Sequence, residues 1–163
     1  MNRYRYLIKN IGLLTLSSFA TKLISFFLVP LYTNILTTTE YGTYDLFNTT
    51  IGILIPILTL NIQESVMRFA LDKKFDRKAI VTIAVKQLLL SYCIIIIGLI
   101  INSVFEFNAM GKEYAIFFFL MFFVQSLSGI ILAYTRGIDR ISELSVSSVV
   151  ASAVTIGCNV IFL

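Results

Sequence analysis

Lys22 is the residue whose position most calls for chemistry. At ~1.5 Å of rise per residue it lies about a dozen residues into an apolar run, near the middle of a bilayer. An ammonium group there costs about 2.5–3.5 kcal/mol on insertion scales. It is too far from either end of the run to reach interfacial water easily, so it must face an opposite charge or a wet cavity. An ion pair inside a bundle, with Glu64 or Asp45, is one reading. The other is a cationic group in a transport cavity, and the bulky polar groups of the next segment favour that reading. Thr15, Ser18 and Ser25 share its side of the helix, within about 80° of arc.

Asp45, Asn48 and Gln63 repeat the pattern in the next apolar segment. With Thr49, Gly52, Pro56 and Thr59 they occupy one face of about 100°. Bulky polar groups are poor spacers for close packing, so the first two faces read as the wall of a water-filled lumen. Three later segments carry polar faces of their own. These are Gln87, Ser91, Gly98 and Asn102, then Gln125, Ser128, Gly129 and Arg136, then Ser145, Ser148, Ser152, Thr155 and Asn159. The last two faces hold mostly small uncharged groups and read as helix-packing surfaces. Pro30 and Pro56 interrupt the first two segments. Each removes a backbone hydrogen bond and bends its helix, which can shape a cavity or permit rocking.

Other chemistries are poorly supplied. The chain has no His and no Trp, which removes the commonest general base and the commonest metal ligand. No phosphate loop, dinucleotide fingerprint, metal spacing or nucleophile elbow occurs. Asp72 and Asp76 could suggest a carboxylate pair, but Arg68, Lys73, Lys74, Arg77 and Lys78 surround them. A solvated topology loop explains that cluster. The expectation is therefore no enzyme, no catalytic residue, no metal and no cofactor.

The elements that carry these faces are helices. The 163 residues are 58% hydrophobic and 13% charged, with mean hydropathy +0.89; a soluble domain is usually about 25% charged. Five long apolar segments run roughly over 11–36, 43–71, 79–104, 113–135 and 144–163, with polar turns between them, the first over 37–42. Each complete segment meets the ~20 residues a spanning helix needs, and strands of that length would be abnormal for a barrel. The fold class expected is all-α, a polytopic transmembrane bundle of about five helices with no soluble domain.

Net charge is +4, but the basic residues stand at segment ends rather than on a nucleic-acid-binding face. Arg3, Arg5 and Lys9, the loop after the second segment, and Arg136 with Arg140 fall on one side of the membrane. That side is the cytoplasm by the positive-inside rule, so the N-terminus is cytoplasmic. The first apolar run is too long for a signal-peptide core and reads as a retained helix. Cys93 and Cys158 lie inside apolar segments and read as buried small hydrophobes, without a disulfide. The chain ends inside its fifth segment with no charged residue after Glu143, which suggests part of a larger machine.

The stretch from Ser18 through Lys22 and Pro30 to Leu36-Thr37, followed by Glu40-Tyr41-Gly42-Thr43-Tyr44-Asp45, resembles the opening of the Wzx-type polysaccharide flippases. These are polysaccharide-biosynthesis transporters of the multidrug/oligosaccharidyl-lipid/polysaccharide (MOP) exporter superfamily. There a first helix with a basic residue and a proline runs into a Leu-Thr-x-x-x-Tyr-Gly turn. The basic second loop and Arg136-Gly137 also fit. The resemblance implies part of the N-terminal lobe of a two-lobe transporter in the bacterial inner membrane. It implies as cargo an undecaprenyl-pyrophosphate-linked oligosaccharide for O-antigen, lipopolysaccharide or capsule, with the bilayer and the polysaccharide assembly machinery as partners. By the same resemblance Lys22 would lie in the lobe's cavity and face the pyrophosphate or an anionic sugar. Asp45, Asn48 and Gln63 would line that cavity too.

Three other readings stand beside this one. A drug or cation exporter of the same superfamily needs acidic groups deep in the lobe, and Asp45 lies near the outer end. An inactive truncated remnant would share the ancestry without the activity. A small pore or scaffold would work as an oligomer.

Overall fold

The computed structural model describes residues 34–72, 74–105 and 113–162, together with 8, 11–12, 15–16, 18–19, 22–23, 26 and 29–30. The described positions between 8 and 35 are helical. Among the described residues five further helices follow: α1 (Thr38–Leu58), α2 (Ile62–Leu71), α3 (Arg77–Phe105), α4 (Ala115–Gly137) and α5 (Ile141–Phe162). No strand occurs among the described residues. The chain divides into two compact units, Met1–Tyr44 with Asp139–Leu163, and Asp45–Ile138.

The stretch 37–42 is not the polar turn that its composition suggests. The helix begins at Thr38, five residues before the expected start, and Tyr41 and Gly42 are helical. Thr37 is the cap. The Glu40 N–H donates to Thr37 Oγ1 at 3.3 Å, and the Thr37 N–H donates to Glu40 Oε2 at 2.9 Å. This reciprocal capping box satisfies two donors that a helix start leaves open. Thr-x-x-Glu is readable in the sequence, and here it outweighs the turn-like look of three threonines and a glycine.

The second expected segment, 43–71, is two helices. α1 and α2 meet at a bend of 58°. The backbone at Leu60 and Asn61 is left-handed, with φ of 50° and 51°. The Leu60 N–H donates to the Ile57 carbonyl (3.3 Å) and the Asn61 N–H to the Pro56 carbonyl (3.0 Å). That pair of bonds is a Schellman termination, usually built on glycine at the left-handed position. Pro56 lies inside α1, upstream of the reversal. The proline weakens the ladder by one bond, but the bend lies a turn later, where two consecutive residues leave the helical region.

In the unit Asp45–Ile138, α2 packs chiefly on α4 and also on α3. The buried residues of α3 are Ile80, Ala84, Leu88, Ser91, Tyr92 and Ile95, a single stripe at helical spacing. α4 answers with Phe122, Ser126, Ile130 and Gly137. Aromatic edges fill the seams: Phe47 meets Phe118 at 5.4 Å, and Tyr92 meets Phe122 at 6.1 Å. α2 and α4 come very close. A Cβ on Gly137 would lie 2.5 Å from Ala70 Cβ and 2.8 Å from the Met67 carbonyl oxygen, and one on Gly129 would strike the Gln63 amide. Gly129 and Gly137 thus let two helices approach closely in lipid.

Outside these stripes the helices are apolar and exposed: Ile83, Leu89, Ile97, Ile116, Phe117, Val124 and Ile131 all face outward. Exposed apolar surface on that scale needs a nonpolar medium. α3 and α4 are each long and apolar enough to cross a membrane, and α1 with α2 makes a third span if the bent pair is counted as one. The chain is an all-α membrane protein. Cys93 and Cys158 are exposed, so the expectation that they are buried is corrected: the apolar character that suggested burial places them on the outer surface.

In the other unit, α5 opens with an Arg140–Glu143 ion pair at 3.3 Å. Ser148, Ser152 and Thr155 donate to the carbonyls of Leu144, Ser148 and Ala151. Their hydroxyls are therefore satisfied within the helix, a common solution where water is absent. Ser145 is buried, and its Oγ has no hydrogen-bond partner among the described residues.

Candidate functional site at the helix break

The break between α1 and α2 frees the Leu58 carbonyl, because the Ile62 N–H donates to Thr59 instead. In hydrocarbon an unsatisfied carbonyl is costly. α3 supplies the missing donors. Ser91 Oγ lies 2.8 Å from the Leu58 oxygen and Gln87 Nε2 lies 3.2 Å from it. Ser91 and Gln87 are four residues apart, one above the other on the same helix face. The Ser91 hydroxyl is shared with the Gln87 carbonyl at 2.9 Å. Thr59 is fully buried, and its hydroxyl donates back to Ile55 at 2.7 Å. The polar groups expected to line a face of α3 are thus committed, in part, to holding a broken helix.

A second polar seam runs along α4. Gln125 Nε2 donates to Asn48 Oδ1 at 3.1 Å. One turn later Gly129 makes room for the half-buried Gln63. Asn48 and Gln63 therefore both approach α4, on either side of the break. Deeper in the unit, Ser126 Oγ donates to the Phe122 carbonyl at 2.7 Å and lies 3.2 Å from the Tyr92 hydroxyl. Serine has one proton to give, so Tyr92 is the donor in that pair.

The expected site residues are distributed as follows. Asn48 and Gln63 are brought to one helix. Asp45 is exposed at the start of the same unit. Ser18 and Lys22 belong to the other unit, where both are helical and exposed. Ser25 lies outside the described residues. Pro30 is helical and exposed, and Pro56 is exposed within α1. The face that joined Asp45, Asn48 and Gln63 assumed one continuous helix. The left-handed residues at 60 and 61 reset the register, so Gln63 reaches α4 from a helix of different direction.

The interior of this unit is neutral. Thr59, Gln63, Gln87, Ser91, Tyr92 and Ser126 offer amides and hydroxyls, suited to hydrogen bonding rather than to acid–base or nucleophilic chemistry. No group of acidic or cysteine side chains able to hold a metal occurs among the described residues. The pairing of Gln87 and Ser91 with Leu58 had no counterpart in the sequence pattern, which showed only that the two share a face. The need for glycine at 137 was equally hidden, since it arises from the Met67 backbone across the interface.

Comparison with curated proteins and with solved structures gives no match. A family model described as "Polysaccharide biosynthesis protein" matches residues 7–163, nearly the whole chain. The chain belongs to this family, that of the Wzx-type polysaccharide flippases and MOP exporters.

Proposed function

We propose that this chain is part of the N-terminal lobe of a flippase that moves undecaprenyl-pyrophosphate-linked oligosaccharide from the cytoplasmic to the outer leaflet of the bacterial inner membrane. The observation that carries this reading is the family match over residues 7–163. Lys22 gives it a mechanism. A cation in a low-dielectric cleft attracts a pyrophosphate strongly, because little solvent screens the pair. The sugar hydroxyls then meet neutral donors and acceptors such as Asn48 and Gln63. The polyprenyl tail stays in the bilayer, where movement between leaflets changes its environment little. Transport needs no covalent step and hence no catalytic residue or cofactor. The N-terminus and the basic loop between α2 and α3 lie on the cytoplasmic side in this reading.

Lys22→Gln and Lys22→Arg, placed in the native gene and compared for surface polysaccharide and for membrane insertion, test it. The expected result is loss of surface glycan with Gln and retention with Arg, both proteins inserting normally. Normal surface glycan with Lys22→Gln removes Lys22 from the mechanism.

A further inference from the structure

A groove opens on the unit Asp45–Ile138 where α2 meets the first turns of α3. Its free volume is about 210 Å³. Ile62, Val66, Ile80 and Ile83 line it, and so do Phe69 and Phe75 on either side of the α2–α3 loop. The two rings pack edge to face at 4.9 Å and 76°. Among the described residues that line it, Ser65 and Asp76 are the polar ones. Asp76 is already engaged as the cap of α3, its Oδ1 accepting the Lys78 N–H at 3.1 Å. Asp72 is engaged in the same way by the Lys74 N–H.

The loop beside the Phe69–Phe75 pair is basic. Arg68 precedes Phe69, Lys74 precedes Phe75, and Arg77 and Lys78 follow Asp76; all four are exposed. An apolar slot lined by an aromatic pair, with cations beside it, matches one ligand in both parts: a fatty chain joined to an anionic headgroup. We propose that this groove binds an anionic phospholipid of the leaflet that meets the α2–α3 loop. One acyl chain lies along Ile62, Val66 and Ile83, and the phosphate lies among Arg68, Lys74, Arg77 and Lys78. The chain contributes little selectivity, because it leaves one hydrocarbon environment for another. The choice of lipid comes from the headgroup, where each basic residue near the surface favours an anionic lipid. The proposal does not depend on the transport reading.

The chain has no Trp, so a single reporter can be placed in the groove. Phe75→Trp in the full chain, reconstituted in bilayers, is titrated with brominated phosphatidylglycerol or brominated phosphatidylcholine as the quencher. The expected result is quenching at about fivefold lower mole fraction of the anionic lipid, from several basic residues acting together. Ile83→Trp reads the groove without disturbing the aromatic pair and should show the same preference. Val104→Trp, exposed at the far end of α3, should show none. Arg68→Gln, Lys74→Gln, Arg77→Gln and Lys78→Gln together should abolish the preference at 75 and 83. Equal quenching by the two lipids overturns the proposal, as does a preference that survives the fourfold substitution or appears equally at 104. Quenching by neither lipid also overturns it, because protein would then cover the groove.

Discussion

Ser91 on α3 donates to the carbonyl of Leu58 at 2.8 Å, across thirty-three residues of chain. That bond completes, from a neighbouring helix, a backbone ladder that α1 gives up when it turns. Gln87 backs it at 3.2 Å. Because two donors share one carbonyl, removing either leaves the other in place. Ser91→Ala alone should cost about 1 kcal/mol, in the range measured for interhelical hydrogen bonds in membranes. The double variant with Gln87→Ala leaves the carbonyl bare and should cost more than the sum of the singles. A double-mutant cycle by thermal unfolding in detergent measures this; strict additivity would mean that the two bonds act separately.

The bend should survive loss of the proline. Leu60 and Asn61 hold it, with the Schellman bonds and the Leu58 cap. Spin labels at Leu46 and Leu71, both exposed, report the angle between α1 and α2. Pro56→Ala should leave their separation unchanged, whereas the Gln87→Ala, Ser91→Ala double variant should broaden or shift it. Straightening with Pro56→Ala would assign the bend to the proline.

The two close glycines of α4 should respond differently to alanine. At Gly137 the added methyl meets the Met67 backbone and Ala70, which cannot move aside without shifting α2. Gly137→Ala should cost about 1–3 kcal/mol, the usual range for overpacking. At Gly129 the obstacle is the flexible end of Gln63. Ala there also gains about 0.5–1 kcal/mol of helix preference over Gly. Gly129→Ala should therefore be close to neutral, and Gln63→Ala combined with it should remove any residual loss. Melting temperatures of the three variants decide this; equal losses at 129 and 137 would contradict the packing described for α2 on α4.

The Tyr92–Ser126 pair should be asymmetric. Ser126 keeps its own acceptor, Phe122, whatever happens to Tyr92. Tyr92→Phe removes only a donor and should cost about 0.5–1.5 kcal/mol. Ser126→Ala takes away the acceptor for a phenol in a buried site and should cost about 1–3 kcal/mol. Denaturation of both variants under the same conditions gives the order, and the reverse order would mean that serine is the donor.

Composition and hydropathy suffice for the class of the molecule. Apolar runs of spanning length, with few charges, require lipid and allow only helices or closed barrels, because every backbone polar group must then be satisfied internally. α3 and α4 were readable on that basis, and so was the use of the α4 face bearing Gln125, Ser128 and Gly129 for packing, but not the part played by Gly137. The Thr37–Glu40 box is local, since its two bonds join residues three apart, but the turn-like composition of 37–42 masked it. The notable polar residues, Asn48, Gln63, Gln87, Ser91 and Gln125, could be seen to share faces, but not to choose partners.

The break and its partners arise only when the helices pack. Nothing in Leu58-Thr59-Leu60-Asn61 marks a helix end by the usual glycine signal, and Pro56 draws attention to the wrong turn. The break exists where donors twenty-nine and thirty-three residues away satisfy the carbonyl it exposes. Gly137 must be glycine because of Met67 and Ala70, and Gln63 finds room because position 129 has no side chain. Helical periodicity is local and can be counted along one chain segment. The partner of a freed carbonyl, or the space left by an absent Cβ, depends on what a second helix brings to the same place, and that is fixed only when the helices pack.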